Sequence, residues 1–186
     1  MSDEQRVIEP VSAEPMRTSL SWGDLQQPDS SVSTPMPWTR ALSSLTSVPT
    51  YWVATVHPDG RPHAVPVLGV VVDGAVHFCA NERTRKARNL QGDPRIVVTG
   101  SSDDFDLVVE GSITIVTGDD TVRKIASAYD AKYGWRPEVH DGALWADGAP
   151  TAGPPPYRVH RVIPHTAFCM PTDDEAVATR WRFRPM

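Results

Sequence analysis

From Tyr51 to Gly100 the apolar positions fall into short runs separated by turn residues, the pattern of strands joined by tight turns. Tyr51-Trp-Val-Ala-Thr-Val-His57 is the first run, and Pro58-Asp59-Gly60 follows it. Proline presets one dihedral of such a turn and glycine accepts positive φ. Residues 64–72 are apolar on both faces, which predicts one long strand sandwiched between layers. Asp73-Gly74 suits a two-residue type I′ hairpin into a third strand at 75–80. Thr84 is placed to cap a short helix to Gln91, with Gly92 as a left-handed terminator and Pro94 beyond. A fourth strand runs over 95–100 and a fifth over 105–116, and Gly111 inside the latter predicts a bulge or sharp bend.

A helix follows from Asp119 or Asp120 to Gly134, with Val122, Ile125, Ala126, Tyr129 and Tyr133 on one face. Residues 135–156 are rich in Gly and Pro and read as loop. A sixth strand at 157–170 is interrupted by Pro164, and 178–183 form a short last strand. Upstream, residues 1–38 read as a disordered or loosely packed extension, polar and acidic over 1–20, with one helical turn at 21–25 and a proline linker at 27–37. Thr39 caps a short helix over 40–45. The expectation is a mainly β (α+β) domain over 39–186, a six-to-seven-stranded antiparallel split β-barrel with helical caps.

Composition narrows the class. The 186 residues are 40% hydrophobic, enough for one core. The net charge of −5 argues against a nucleic-acid protein. No signal peptide and no apolar run of membrane-spanning length is visible, and the two cysteines, Cys79 and Cys169, sit in separate apolar runs. A cytoplasmic protein with no membrane partner is expected.

One local feature runs against the overall charge. Arg83, Arg85, Lys86 and Arg88 place four cations in six residues at the start of the predicted second helix. Free backbone N–H groups and the positive dipole end lie there, so the segment suits an anion such as a phosphate. The bland alternative is a solvated helix face whose arginines pair surface acids such as Glu82. His57, His63 and His77 match no compact metal motif, and no metal is expected. No catalytic residue can be assigned from the pattern, since no hydrolase or P-loop motif is present. In 178–183, alternation puts Thr179, Trp181 and Phe183 on one face and Arg180 and Arg182 on the other.

The succession of strand, Pro-Asp-Gly-Arg-Pro62, long strand, Asp73-Gly74, strand, Thr84-Arg-Lys-Ala-Arg-Asn-Leu90 and Asp93-Pro-Arg-Ile-Val-Val98 resembles the pyridoxamine 5′-phosphate oxidase-like split-barrel superfamily. It is similar in particular to the actinobacterial flavin/deazaflavin oxidoreductases of that superfamily, and the terminal Thr179-Arg-Trp-Arg-Phe183 resembles their closing strand. The resemblance spans roughly residues 40–183. It implies a homodimer of split barrels with FMN or coenzyme F420 in grooves between the subunits. Carried over by position, Arg83, Thr84, Arg85 and Lys86 would grip the cofactor phosphate. His63, Val65, Pro66 and Val67 would run beside the ring, Phe78, Cys79 and Ala80 would lead into the phosphate loop, and Trp181 and Arg182 would lie near the partner's ring. The implied reaction is hydride transfer between the cofactor and a small unsaturated organic substrate. No counterpart of the substrate-binding C-terminal region of true pyridoxamine phosphate oxidases is identifiable, which argues against that reaction. The rival reading is a non-catalytic split-barrel dimer that carries flavin or binds haem, with His57, His77 or His160 as axial ligand. A structural or regulatory dimer with a vestigial groove is a third.

Overall fold

The computed structural model describes residues 8–16, 34–147, 153–172 and 177–184. The helical turn expected at 21–25 and most of the proline linker lie outside the described residues. The strands are β1 (Pro10–Pro15), β2 (Tyr51–Val56), β3 (Pro62–Val67), β4 (Gly69–Val72), β5 (Ala75–Ala80), β6 (Arg95–Ser101), β7 (Phe105–Val116), β8 (Glu138–His140), β9 (Ala143–Trp145), β10 (Tyr157–Pro171) and β11 (Thr179–Phe183). The helices are α1 (Trp38–Ser47), α2 (Arg85–Gly92) and α3 (Asp119–Tyr133). The architecture is an unclosed, antiparallel split barrel.

The spine runs β1-β11-β10-β7-β6-β2-β3, while β4 and β5 branch from β10, and the β8–β9 hairpin also docks on β10. The split occurs within β10. Arg158 to Arg161 pair with β5, whereas Thr166 to Cys169 pair with β11. Between them a bulge at His165 interrupts the ladder with β7. Pro164, which has no N–H to donate, sits at that irregularity, where a strand proline is tolerated. Gly111 lies opposite Pro164, and a Cβ there would stand 2.1 Å from the Ile163 carbonyl oxygen. The bend predicted at Gly111 is therefore a backbone approach that no side chain permits.

Cross-strand register builds the core. Val65, Val53, Val98, Val109, Ala167 and Trp181 form one row across β3, β2, β6, β7, β10 and β11. That row faces α1, whose Trp38, Ala41 and Leu45 are buried against it. A second cluster packs α3 onto β4, β5 and β10 through Val122, Ile125, Tyr129, Val70 and Val159. Asp73 and Gly74 both adopt positive φ, as a type I′ turn requires. Gly134 ends α3 in the left-handed conformation.

Several elements depart from expectation. The apolar run 64–72 is two strands, with β3 pairing β2 and β4 pairing β5 across a break at Leu68. The break is held from α3: Lys132 Nζ donates to Gly69 O (3.0 Å) and to the Tyr51 hydroxyl (3.1 Å), and the Tyr133 hydroxyl donates to Gly69 O (2.8 Å). β3 is an edge strand rather than a sandwiched one. Residues 10–15, read as tail, are paired along β11, with Glu14 receiving Arg180 at 2.7 Å and Arg182 at 3.3 Å. Met36, also in the expected extension, is buried in the core. α1 starts at Trp38 with Pro37 in the capping position and no side-chain cap, so Thr39 lies inside the helix. The loop read at 135–156 contains the β8–β9 hairpin. Gly92 ends α2 without positive φ, and Asp93 is the C-cap.

Candidate cofactor-binding site

β5 delivers the chain to Asn81, which organises the start of α2. Its backbone carbonyl accepts from Thr84 N (3.0 Å) and Thr84 Oγ1 (2.8 Å), and its side-chain oxygen accepts from Arg83 N (2.8 Å). Thr84 is the N-cap as predicted, its hydroxyl accepting from Ala87 N at 3.4 Å. Around this positive helix end Arg83, Arg85 and Arg88 are exposed. Among the described residues none of these three pairs with a carboxylate. Glu82, the acid expected to neutralise them, reaches Arg158 instead, at 3.2 Å. Other arginines do find acids: Arg61 with Asp59, Arg95 with Asp93, Arg123 with Asp119 and Asp120, Arg136 with Asp130. Arg85 instead contacts His57 Nε2 at 3.2 Å, and His57 Nδ1 stands 2.8 Å from Asp59. If Arg85 donates to Nε2, the proton sits on Nδ1 and points to Asp59. The chain thus holds Arg85 upright without cancelling its charge. Three guanidinium groups at a capped helix start, unpaired with any carboxylate among the described residues, fit a phosphate.

Lys86 departs from this picture. It is 4% exposed, under α2 rather than at a rim. Burial is the main force lowering its pKa, and the neighbouring Cys79 opposes it. Phe78, Cys79 and Ala80 are likewise buried in β5. Phe78 stacks on His160 with centroids 4.8 Å apart and an interplanar angle of 4°. These residues form the floor behind the α2 start, not a surface open to a ligand. His77 and His160 are 2% and 3% exposed, and burial drives both pKa values down to about 4.

The β3 residues divide. His63, Val65 and Pro66 are partly exposed along the sheet edge, and Val67 is buried. Pro66 pairs with Trp52, which is 52% exposed. The closing strand corrects one assignment. Trp181 is 0% exposed, its indole N–H donates to Met36 O at 3.0 Å, and it meets Trp38 edge-on at 5.3 Å. It fills the core and borders no groove of its protomer. Arg182 is on the outer face, engaged by Glu14. β3 pairs with β2 in the sheet, and α2 is tied to β2 by Asn89 Nδ2 donating to Thr55 Oγ1 at 3.0 Å. β5 and β11 meet only through β10.

A feature absent from the sequence reading is a cleft of about 410 Å³ on the outer face of β2, β6 and β7. Ala54, Val56, Pro62 and Val97 supply apolar lining, and Glu110 and His165 supply polar groups. No local signal marks it, because four strands and the bulge contribute between one and three residues each.

An unclosed antiparallel barrel of this strand order, with a cationic helix start after its fifth strand, is a split barrel. The sequence agrees: the pyridoxamine 5′-phosphate oxidase family profile matches residues 39–167, and the chain belongs to that family. Among solved structures, a conserved hypothetical protein from Mycobacterium tuberculosis aligns with TM-score 0.57 and 18% identity, over 80% of this chain and 92% of that one. A heme binding protein from Mycobacterium smegmatis aligns with TM-score 0.57 and 17% identity, over 75% of this chain and 55% of that one. A putative pyridoxamine 5′-phosphate oxidase from Listeria innocua aligns with TM-score 0.53 and 12% identity, over 72% and 97%. At these identities the likeness is one of fold. No curated protein matches the sequence. Among the described residues no helix is long and apolar enough to cross a membrane.

Proposed function

We propose that this protein is a homodimeric oxidoreductase that binds FMN or F420 and transfers hydride between the ring and a small unsaturated organic substrate. The observation that carries the reading is the trio Arg83, Arg85 and Arg88, exposed at a capped helix start without carboxylate partners among the described residues, in a member of this family. Arg83 and Arg85 would hold the phosphate, and the partly exposed edge of β3 would lie beside the ring. When bound, the cofactor supplies the hydride chemistry. The chain supplies charge at one end, a rigid β floor behind it, and an apolar sheet face that excludes water.

The haem reading needs an axial histidine. His77 and His160 are sealed in the core, and His57 is held between Arg85 and Asp59. None of these three is open to an iron, which favours the flavin or deazaflavin reading over haem held by any of them. Side-by-side titration with FMN, F420 and haem is the test. FMN or F420 is expected to bind, and Arg83→Ala/Arg85→Ala to weaken binding by at least about tenfold, the worth of one charge-assisted hydrogen bond. Binding of haem alone, or equal affinity of the variant, would remove the proposal.

A further inference from the structure

We infer that the cleft between β2, β6 and β7 is a second small-molecule subsite, chemically separate from the α2 end, that takes a neutral or cationic apolar ligand and rejects anions. The inference rests on the proposed oxidoreductase reading only in giving that ligand the role of substrate.

The β10 bulge makes the polar end of this cleft. Pro164 pairs with Gly111 and Thr166 with Glu110, so His165 is the extra residue and leaves the ladder. Bulges re-aim side chains in this way, often beside functional sites. The released ring reaches back to β7, where His165 Nε2 lies 3.3 Å from Ser112 Oγ. This pair can both donate and accept a hydrogen bond. Opposite it, Ala54, Val56, Pro62 and Val97 form apolar walls. The cleft is shallow, and it combines apolar walls with a few convergent polar groups as small-ligand sites do.

Charge sets the selectivity. Arg95, also at the cleft, is neutralised by a two-pronged bond to Asp93, at 2.9 Å from Nε and 2.6 Å from the terminal nitrogen. Arg182, across Thr166 on β11, is tied to Glu14. On β5, the next neighbour of β10, His77 is buried away from the cleft. Glu110 is left as the one exposed charge lining the cleft that has no ion-pair partner among the described residues. Arg85 of α2 reaches His57, which follows the cleft residue Val56, so the two sites are neighbours of opposite charge: the α2 arginines draw anions and Glu110 repels them. A substrate with a carboxylate or phosphate would be turned away from the cleft while the cofactor phosphate is accepted at the helix.

The experiment uses three probes that share a ring and differ in charge: benzyl alcohol, benzylamine and benzoate. Each is titrated into isotope-labelled full-length protein, and amide and imidazole shifts are followed by NMR. Benzyl alcohol and benzylamine are expected to shift Ala54, Val97, Gly111 and the His165 ring. Benzoate should bind about fivefold more weakly, the order expected for like charges about 4 Å apart in water. Glu110→Gln should bring benzoate to within about twofold of the alcohol. His165→Ala should weaken benzyl alcohol about 2–10-fold, the loss of one hydrogen bond. If His165→Ala does not fold, the exposed Glu110→Gln decides the question. No shifts in the cleft, or equal binding of benzoate and alcohol to the unaltered protein, overturns the inference. A parallel FMN and F420 titration separates the two claims. Probes that bind here while neither cofactor binds would sink the oxidoreductase reading and leave the subsite.

Discussion

Lys86 and its neighbour Arg85 look equivalent in sequence and do different work. Arg85 is exposed and meets no carboxylate among the described residues; Lys86 is packed beneath the helix. Lys86→Ala should therefore cost about 2 kcal/mol of stability through the space it vacates. Exposed Arg83→Ala should cost less than about 0.5 kcal/mol, and denaturant melts of the two variants check this contrast. Trp181 makes the same point. Alternation correctly grouped it with Thr179 and Phe183, but period alone cannot say whether that face meets the core or a ligand. Trp181→Phe loses volume and leaves Met36 O without its donor, so a cost of about 2–3 kcal/mol is expected, with cofactor affinity and ring fluorescence unchanged. The buried histidines give a pH signature. Their pKa values fall from 6.5 to about 4 on folding, so the unfolded chain binds more protons than the native one between those limits. Stability is full above pH 6.5 and declines as pH falls toward 4, by about 3 kcal/mol per histidine. Urea midpoints across that window should fall steeply. His77→Asn/His160→Asn should flatten the slope, and a flat slope in the unaltered protein would contradict the burial argument.

At the level of elements, turn chemistry was the most readable part of the chain. Asp73-Gly74, the Thr84 cap and the Gly134 terminator each act through their own local geometry, and each is where the residues placed it. The break at Leu68 was not readable, because an unbroken apolar run gives no period to interrupt and the tie comes from Lys132 and Tyr133 on a distant helix. β1 was missed for the opposite reason. Pro-Val-Ser-Ala-Glu-Pro carries no alternation, and its partners Arg180 and Arg182 lie more than 160 residues away. Gly111 offers the sharpest test of an element. Gly111→Ala would force a methyl into the Ile163 carbonyl, separating β7 from β10 at the bulge. A loss of about 3 kcal/mol is expected, together with changed NMR shifts at His165. An unperturbed His165 would mean that the bulge does not depend on this approach.

On the scale of the whole molecule, the outer face of the sheet is graded. Pro66, Trp52, Thr99, Val108 and Phe168 form one solvent-facing row, ending at Arg180 and Glu14. The apolar end coincides with the edge strand β3 and exposed Leu68. An apolar face next to an unpaired edge is an association hazard unless covered. A twofold homodimer covering Trp52 and Leu68 is the proposed solution. Trp52→Glu should convert a dimer seen by light scattering into a monomer with the same far-UV spectrum, and a wild-type monomer at micromolar concentration would refute the assembly. The cationic end at α2 was legible because its cations are close in sequence; the cleft was not, because it exists only once β2, β6, β7 and β10 are aligned. The pairing of β1 with β11 has a mechanical corollary. Pro10 lies opposite Phe183 in an antiparallel ladder. A load applied between those two residues would peel the ladder open one hydrogen bond at a time, the compliant direction for a sheet, whereas a load between Pro15 and Phe183 would shear several bonds together. An optical trap gripping the first pair should therefore record early yielding at low force, with the remainder of the barrel still holding.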